Sequence, residues 1–160
     1  MFDLPENFGM SVFHMDKELV YEDLLSKLKA LLEGETDMVA KMSNMTAVLH
    51  SAFGFWWTGF YRVSGDELVL GPFQGPVACM HIPYGKGVCG TAWKRGETVV
   101  VSDVEKFPGH IACSSESKSE IVVPVKEKGT VIAVLDIDSQ HLGTFDDVDA
   151  MWLEMMAELL

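Results

Sequence analysis

Ile121-Val122-Val123-Pro124-Val125 and Thr130-Val131-Ile132-Ala133-Val134-Leu135-Asp136-Ile137-Asp138 flank the turn residues Glu127-Lys128-Gly129. Two apolar runs rich in β-branched residues, joined by a glycine-containing turn, predict a β-hairpin. Side chains alternate across a strand, so Ile132, Val134, Asp136 and Asp138 share one face. Two carboxylates then point the same way beside branched aliphatics, and buried charge is costly unless paired. Either the strand end reaches solvent and the aspartates open a turn toward Ser139, or they meet a cation or donate a proton in a pocket. Close carboxylates raise each other's pKa, which suits one of them to act as an acid. Glu120 precedes the first strand, so pairing brings it to the Asp136–Asp138 end, away from the turn. Cys113 lies on the loop that feeds this strand. Acidic surroundings would raise its pKa unless a cation or helix end compensates. His110 and Lys118 are near enough in sequence to help, although each also reads as an ordinary loop residue.

Upstream, residues 55–63 read as an aromatic strand, Ser64-Gly65-Asp66 as a turn and residues 67–70 as its hairpin partner. Short strands are expected at 77–82 and 98–101, with a loop over 102–119. Residues 16–33 read as an amphipathic helix bearing Leu19, Val20, Leu24, Leu28, Leu31 and Leu32. A second helix is expected over 37–52, with Thr36 as N-cap and Met38, Met42, Met45, Val48 and Leu49 on its apolar face. A third starts at Thr144, where Thr144 and Asp147 have capping-box spacing, and carries Val148, Met151, Trp152, Met155 and Leu159. Helices at both ends with strands between predict an α+β fold. Its terminal helices would pack on one face of a mostly antiparallel sheet, and a ligand pocket would lie under loops on the other.

The chain has 160 residues, 12 basic against 24 acidic, for a net charge of −12. That length suits one domain. An acidic chain lacks the basic face that nucleic acid and anionic membranes require, and the apolar runs are strand-length, too short to span a bilayer. Residues 1–9 carry Asp3, Pro5 and Glu6 where a signal peptide would need a basic and an apolar region, so a reducing, cytoplasmic setting is expected. There, three cysteines, Cys79, Cys89 and Cys113, are an odd number for structural disulfides and read as catalytic, metal-binding or buried.

Gly85-Lys86-Gly87-Val88-Cys89-Gly90 matches G-x-G-x-x-G, but residues 91–95 are too few for the crossover helix of a dinucleotide site. The glycines instead predict a tight loop starting a short helix. Cys89 would then lie near a helix N-terminus, which would lower its pKa. Cys79, His81, Cys89, His110 and Cys113 could supply metal ligands, yet they lack the paired C-x-x-C spacing of a strong zinc signal. No metal is expected. In the aromatic strand, Trp57, Gly59 and Tyr61 share a face. They could form an apolar wall for a small ligand, with Gly59 leaving space, or half of a two-sided core.

Taken together, Gly54-Phe55-Trp56-Trp57-Thr58-Gly59-Phe60-Tyr61, residues 71–79, residues 85–90, His110-Ile111-Ala112-Cys113, Ser119-Glu120-Ile121-Val122-Val123-Pro124 and Leu135-Asp136-Ile137-Asp138-Ser139 resemble the free methionine-(R)-sulfoxide reductases, enzymes of the GAF-domain family. The resemblance implies a GAF domain over residues 16–160 behind an N-terminal extension of residues 1–15. It implies reduction of free methionine-(R)-sulfoxide without a cofactor. Cys113 would be the nucleophile, Cys79 the resolving thiol and Cys89 a second resolving or relay thiol. Trp57 and Tyr61 would line the pocket, and Glu120, Asp136 and Asp138 would hold the ammonium and polarise the sulfoxide. Thioredoxin is the implied reductant and a homodimer the implied assembly. A GAF small-ligand sensor without turnover is the alternative.

Overall fold

The computed structural model describes the backbone of residues 7–160 except 112 and 114, and the side chains from residue 16 onward with the same two exceptions. The 1–15 extension of the sequence reading therefore lies largely outside the described residues. Helix α1 (Asn7–Leu32) runs through residue 16 without a break, and α2 (Met38–Phe53) follows. Then come β1 (Trp57–Ser64), β2 (Glu67–Gln74), β3 (His81–Pro83), α3 (Gly87–Arg95), β4 (Val99–Val101), β5 (Ser119–Glu127), β6 (Thr130–Ser139) and α4 (Asp147–Ala157). The strands form one six-stranded sheet in the order β3-β2-β1-β6-β5-β4. Every neighbouring pair is antiparallel, so the α+β expectation holds.

The β5–β6 hairpin is tightly specified. Glu127 pairs with Thr130, leaving Lys128 and Gly129 as the turn, at φ +50° and +81°. Two successive positive φ values match the twist of the flanking strands, and glycine accepts the second without strain. Pro124 has no N–H to donate, and it lies beyond the residues that β5 shares with β4, so it breaks no ladder on that edge.

One face of the sheet is covered by α1, α2 and α4. Tyr21, Leu24, Leu28, Met42, Met45, Leu49, Leu153 and Met156 pack there against Phe60, Ile121, Val123, Leu135 and Ile137. Two helix faces differ in part from the sequence reading: on α1, Leu24, Leu28 and Leu32 are buried as expected, while on α4 the buried face is turned by about one residue. On α1, Leu19, Val20 and Leu31 are exposed and Tyr21 is fully buried. On α4 the buried residues are Asp149, Leu153, Met156 and Ala157. The cause is a polar contact in the core. Tyr21 Oη donates to Asp149 Oδ1 at 2.6 Å, and Lys17 Nζ donates to Asp149 Oδ2 at 2.7 Å. A hydropathy pattern assigns aspartate to solvent, so it misses a face that buries one satisfied by two donors. The caps also shift. Asp37, not Thr36, caps α2 by accepting from Ala40. Asp146 with Asp149, not Thr144 with Asp147, forms the capping box of α4. Strand β3 is only three residues long, and residues 77–79 form a loop rather than part of it.

Candidate active site

The other face of the sheet carries the second apolar cluster: Trp57, Tyr61, Leu68, Ile82, Val122 and Val134 pack with Val88, Cys89 and Ala92 of α3. At the end of β6 away from the hairpin turn, this face opens into a small cavity. The space open to the centre of a water-sized sphere is about 50 Å³, which suits a small molecule rather than a large planar cofactor. Trp57, Tyr61, Cys89, Cys113, Glu120, Asp136 and Asp138 all line it, with His110, Lys86 and Ser117.

Strand register explains this convergence. Glu120 stands opposite Asp138, and Val122 opposite Asp136. On the other side of β6, Asp138 pairs with Trp57 and Asp136 with Gly59. The period of two then turns all three acids and both aromatic rings to the same face. Gly59 does not leave room for a ligand, as the sequence suggested. A Cβ there would collide with Phe73 and the Trp57 ring, so the missing side chain is what lets Trp57 lie over β1. Trp57 stacks on Tyr61 and Phe73 at centroid distances of 5.8 and 5.3 Å. Both polar tips then fasten the next loop. Trp57 Nε1 donates to the Pro76 carbonyl at 3.1 Å, and Tyr61 Oη donates to the Cys79 carbonyl at 2.9 Å.

That loop delivers Cys79 to Cys113, and the two form a disulfide with Cα atoms 5.6 Å apart. Cys113 is exposed and Cys79 half-buried, so the bridge sits at the cavity mouth. Cys89 is free and buried in the wall. Its Sγ lies 4.0 Å from Glu120 Oε1. The expectation that a helix N-terminus would lower its pKa is overturned. Cys89 does sit in the first turn of α3, but burial, followed by the charges of Asp136, Glu120 and Asp138, pushes its thiol well up. A helix end contributes about 0.3–1 kcal/mol near a surface, and full burial outweighs it.

The acids themselves are displaced from the ordinary carboxylate range. Burial, then Asp136 and Asp138, pushes Glu120 well up. Burial, then Asp136, does the same to Asp138, although Ser117 Oγ donates to its Oδ1 at 2.6 Å and pulls it partly back. Burial raises Asp136 to about 6, and hydrogen bonds from Glu120 and Cys89 restrain it. Near neutral pH this cluster therefore holds at least one proton. It can accept a cation, and it can protonate an oxygen brought between its members.

Two cavity residues stand closer to the acids than the sequence alone shows. His110, given there as a loop residue that could help, places Nε2 3.7 Å from Glu120 Oε2, and burial lowers its pKa. Ser117 falls within the 102–119 stretch that the sequence predicts as loop, with no role assigned to it. Its position is set by the backbone bond from Lys118 N–H to the Ser139 carbonyl, a long-range contact that no local motif encodes. Of the five candidate metal ligands, Cys79 and Cys113 are bonded to each other, and His81 pairs with Glu67 at 2.9 Å on the surface. The five do not assemble. On the glycine loop, Gly87 adopts φ +63° with Ile111 of the Cys113 loop 3.1 Å from where a Cβ would be. Both conditions favour glycine, and they bring α3 against that loop.

A sheet faced by helices on one side, with a loop-lidded pocket on the other, defines a known class of small-ligand domain. Residues 37–160 match the GAF domain, and the chain belongs to that family. GAF domain-containing protein A of Dictyostelium discoideum is 54% identical over 145 residues, covering 90% of this chain and 92% of that protein. The free methionine-R-sulfoxide reductase of Escherichia coli is 46% identical over 147 residues, covering 91% and 89%. The free methionine-R-sulfoxide reductase of Neisseria meningitidis, solved in complex with its substrate, superposes with a TM-score of 0.88 at 48% identity, over 99% of this chain and 90% of that one. Within the GAF-domain family, the chain belongs with the free methionine-R-sulfoxide reductases.

Proposed function

We propose that this protein is an oxidoreductase that reduces free L-methionine-(R)-sulfoxide to methionine. The observation that carries the reading is a Cys79–Cys113 bridge at the mouth of a pocket walled by three raised carboxyls. In the reduced protein the Cys113 thiolate attacks the sulfoxide sulfur. A carboxyl of the Glu120–Asp136–Asp138 set gives the oxygen its proton, the S–O bond breaks and the oxygen passes to Cys113 as a sulfenic acid. Cys79 then attacks the Cys113 sulfur, and water leaves with the Cys79 proton. The product is the disulfide seen here, and methionine departs. One sulfoxide and two thiols thus give one sulfide, one disulfide and one water. An external dithiol, for which thioredoxin is the proposed donor, reduces the exposed bridge by exchange. Cys89 lies behind as a relay thiol rather than the first resolver, since Cys79 is the residue within bonding reach.

The remaining carboxylates hold the free α-ammonium, a cation that peptide-bound methionine lacks. Trp57 and Tyr61 supply the apolar wall for the side chain. We further propose a GAF domain over residues 16–160, a homodimer and a cytoplasmic setting. Among the described residues no helix is long and apolar enough to cross a membrane, and the net charge of −12 opposes nucleic acid. The test is NADPH consumption with thioredoxin, thioredoxin reductase and free L-methionine-(R)-sulfoxide, with the S epimer and a peptide-bound sulfoxide as controls. Turnover of the free R epimer alone is expected. Equimolar binding with no methionine formed would favour the sensor reading instead.

A further inference from the structure

The acid pocket has a charge deficit that its protein neighbours leave open. Among the described residues, the one basic side chain within 4.0 Å of Glu120, Asp136 or Asp138 is His110, at 3.7 Å from Glu120. Burial biases that imidazole toward its neutral form. Asp136 is 6% exposed and lines the cavity, and its Oδ1 has no hydrogen-bond partner in the protein. An ionisable oxygen buried without a donor is aimed at something the protein does not supply.

A third donor stands beside these acids. Cys89 Sγ, a Glu120 oxygen and an Asp136 oxygen all lie within 4.8 Å of one another. Zinc binds thiolate sulfur at about 2.3 Å and carboxylate oxygen at about 2.0–2.2 Å, so donors around one tetrahedral ion stand roughly 3.4–3.7 Å apart. The Cys89–Glu120 separation is already 4.0 Å, and closing it by a few tenths of an ångström is within side-chain rotation. The donor chemistry is also selective. A thiolate with two carboxylates suits Zn²⁺ or Cd²⁺, whereas Mg²⁺ and Ca²⁺ prefer all-oxygen shells.

We propose that this pocket binds one zinc-class divalent cation through Cys89, Glu120 and Asp136, and that the cation excludes the substrate. The open side of the cavity leaves the fourth position to water or, after reduction, to the Cys113 sulfur. Binding displaces the Cys89 proton and the carboxyl protons to solvent. The bound metal takes the place of the substrate ammonium and withdraws the acids from catalysis. It needs neither Cys79 nor Cys113, which separates it from general capture of metal by a redox dithiol.

The direct test is an anaerobic Cd²⁺ titration of the Cys79→Ser/Cys113→Ser protein, in which Cys89 is the sole thiol. Thiolate-to-cadmium charge-transfer absorption saturating at one equivalent is expected, with Zn²⁺ displacing it. Asp136→Asn and Glu120→Gln, added singly, should each weaken the titration at least tenfold while circular dichroism shows both folded. No such band, or a band indifferent to both substitutions, overturns the site. In the native sequence, calorimetric Zn²⁺ binding should weaken at least tenfold on Cys89→Ser. The exclusion arm rests on the function proposed above: free L-methionine-(R)-sulfoxide should raise the apparent Zn²⁺ dissociation constant. Zinc binding unaffected by a sulfoxide that the enzyme turns over overturns the shared site. Zinc binding with no turnover at all counts against the proposed function and not against the metal site.

Discussion

The two faces of this sheet are made by the same strands and are built on opposite terms. Facing the helices, Phe60, Ile121, Val123, Leu135 and Ile137 are sealed by α1, α2 and α4, and the one acid buried there among the described residues, Asp149, is met by Lys17 and Tyr21. Facing the loops, Glu120 and Asp136 are buried and Asp138 half-buried, and among the described residues the one basic side chain within 4.0 Å of the three is His110. Asp136 keeps an oxygen without a partner. The contrast is visible within one strand. Leu135 and Ile137 of β6 enter the helix-side core, while Asp136 and Asp138 between and beside them enter the pocket. The helix face holds the fold together. The loop face stores unmet charge that a ligand completes, which is how binding sites differ from cores.

The comparison breaks if the loop face proves dispensable for chemistry. Cys113→Ser should lower thioredoxin-linked turnover by at least ~10³-fold, because it removes the proposed attacking atom; circular dichroism should be unchanged. Glu120→Gln, measured at saturating reductant, should lower kcat/KM by about 10²–10⁴-fold if it belongs to the acid set. The helix face should answer in the opposite currency. Leu135→Ala leaves a cavity beneath three helices and should cost about 2–5 kcal/mol in urea unfolding, with KM for the sulfoxide near the parent's in the folded fraction.

Unmet charge also makes a prediction about pH. Burial raises Asp136 from its ordinary 3.8 to about 6 in the folded chain. The unfolded chain therefore ionises first as pH rises. Stability from this group is complete below the ordinary value and is lost as pH climbs through about 6. Asp136→Asn should then stabilise the ligand-free protein above that window, on the order of 3 kcal/mol, and have little effect below it. Thermal unfolding of both proteins at low and neutral pH reads this directly. The smallest effect belongs to a cap remote from the pocket: Asp146→Ala should cost about 1 kcal/mol by removing the capping box of α4, with kcat unchanged.

The loop face was legible in the sequence to an unusual degree. Period-two spacing put Asp136 and Asp138 on one side, and the hairpin turn placed Glu120 across from them. Pairing by register is local arithmetic once a two-residue turn is recognised. What depended on distant contacts was less legible. The core face of α4 differs by about one residue, and α1 buries Tyr21 beside the expected Leu24, Leu28 and Leu32, because Asp149 is satisfied by Tyr21 and Lys17, more than 120 residues away. Gly59 looked like space for a ligand, and only the packing shows Trp57 already filling it. The helix position of Cys89 predicts a lowered pKa, and burial, followed by the surrounding acids, reverses that sign. His110 reads locally as a loop polar or a candidate metal ligand, since nothing in its sequence neighbours reveals that its loop folds back onto Glu120.

In the proposed reaction Cys113 and Cys79, and not Cys89, carry one turnover at this pocket. Fully reduced protein mixed with one equivalent of free L-methionine-(R)-sulfoxide, without reductant, and followed by intact mass and peptide mapping tests it most directly. The expected result is one methionine formed per chain, the loss of two hydrogens, and a Cys79–Cys113 bridge with Cys89 still alkylatable after denaturation. A first-formed bridge that includes Cys89, or methionine formed with no disulfide at all, would contradict it.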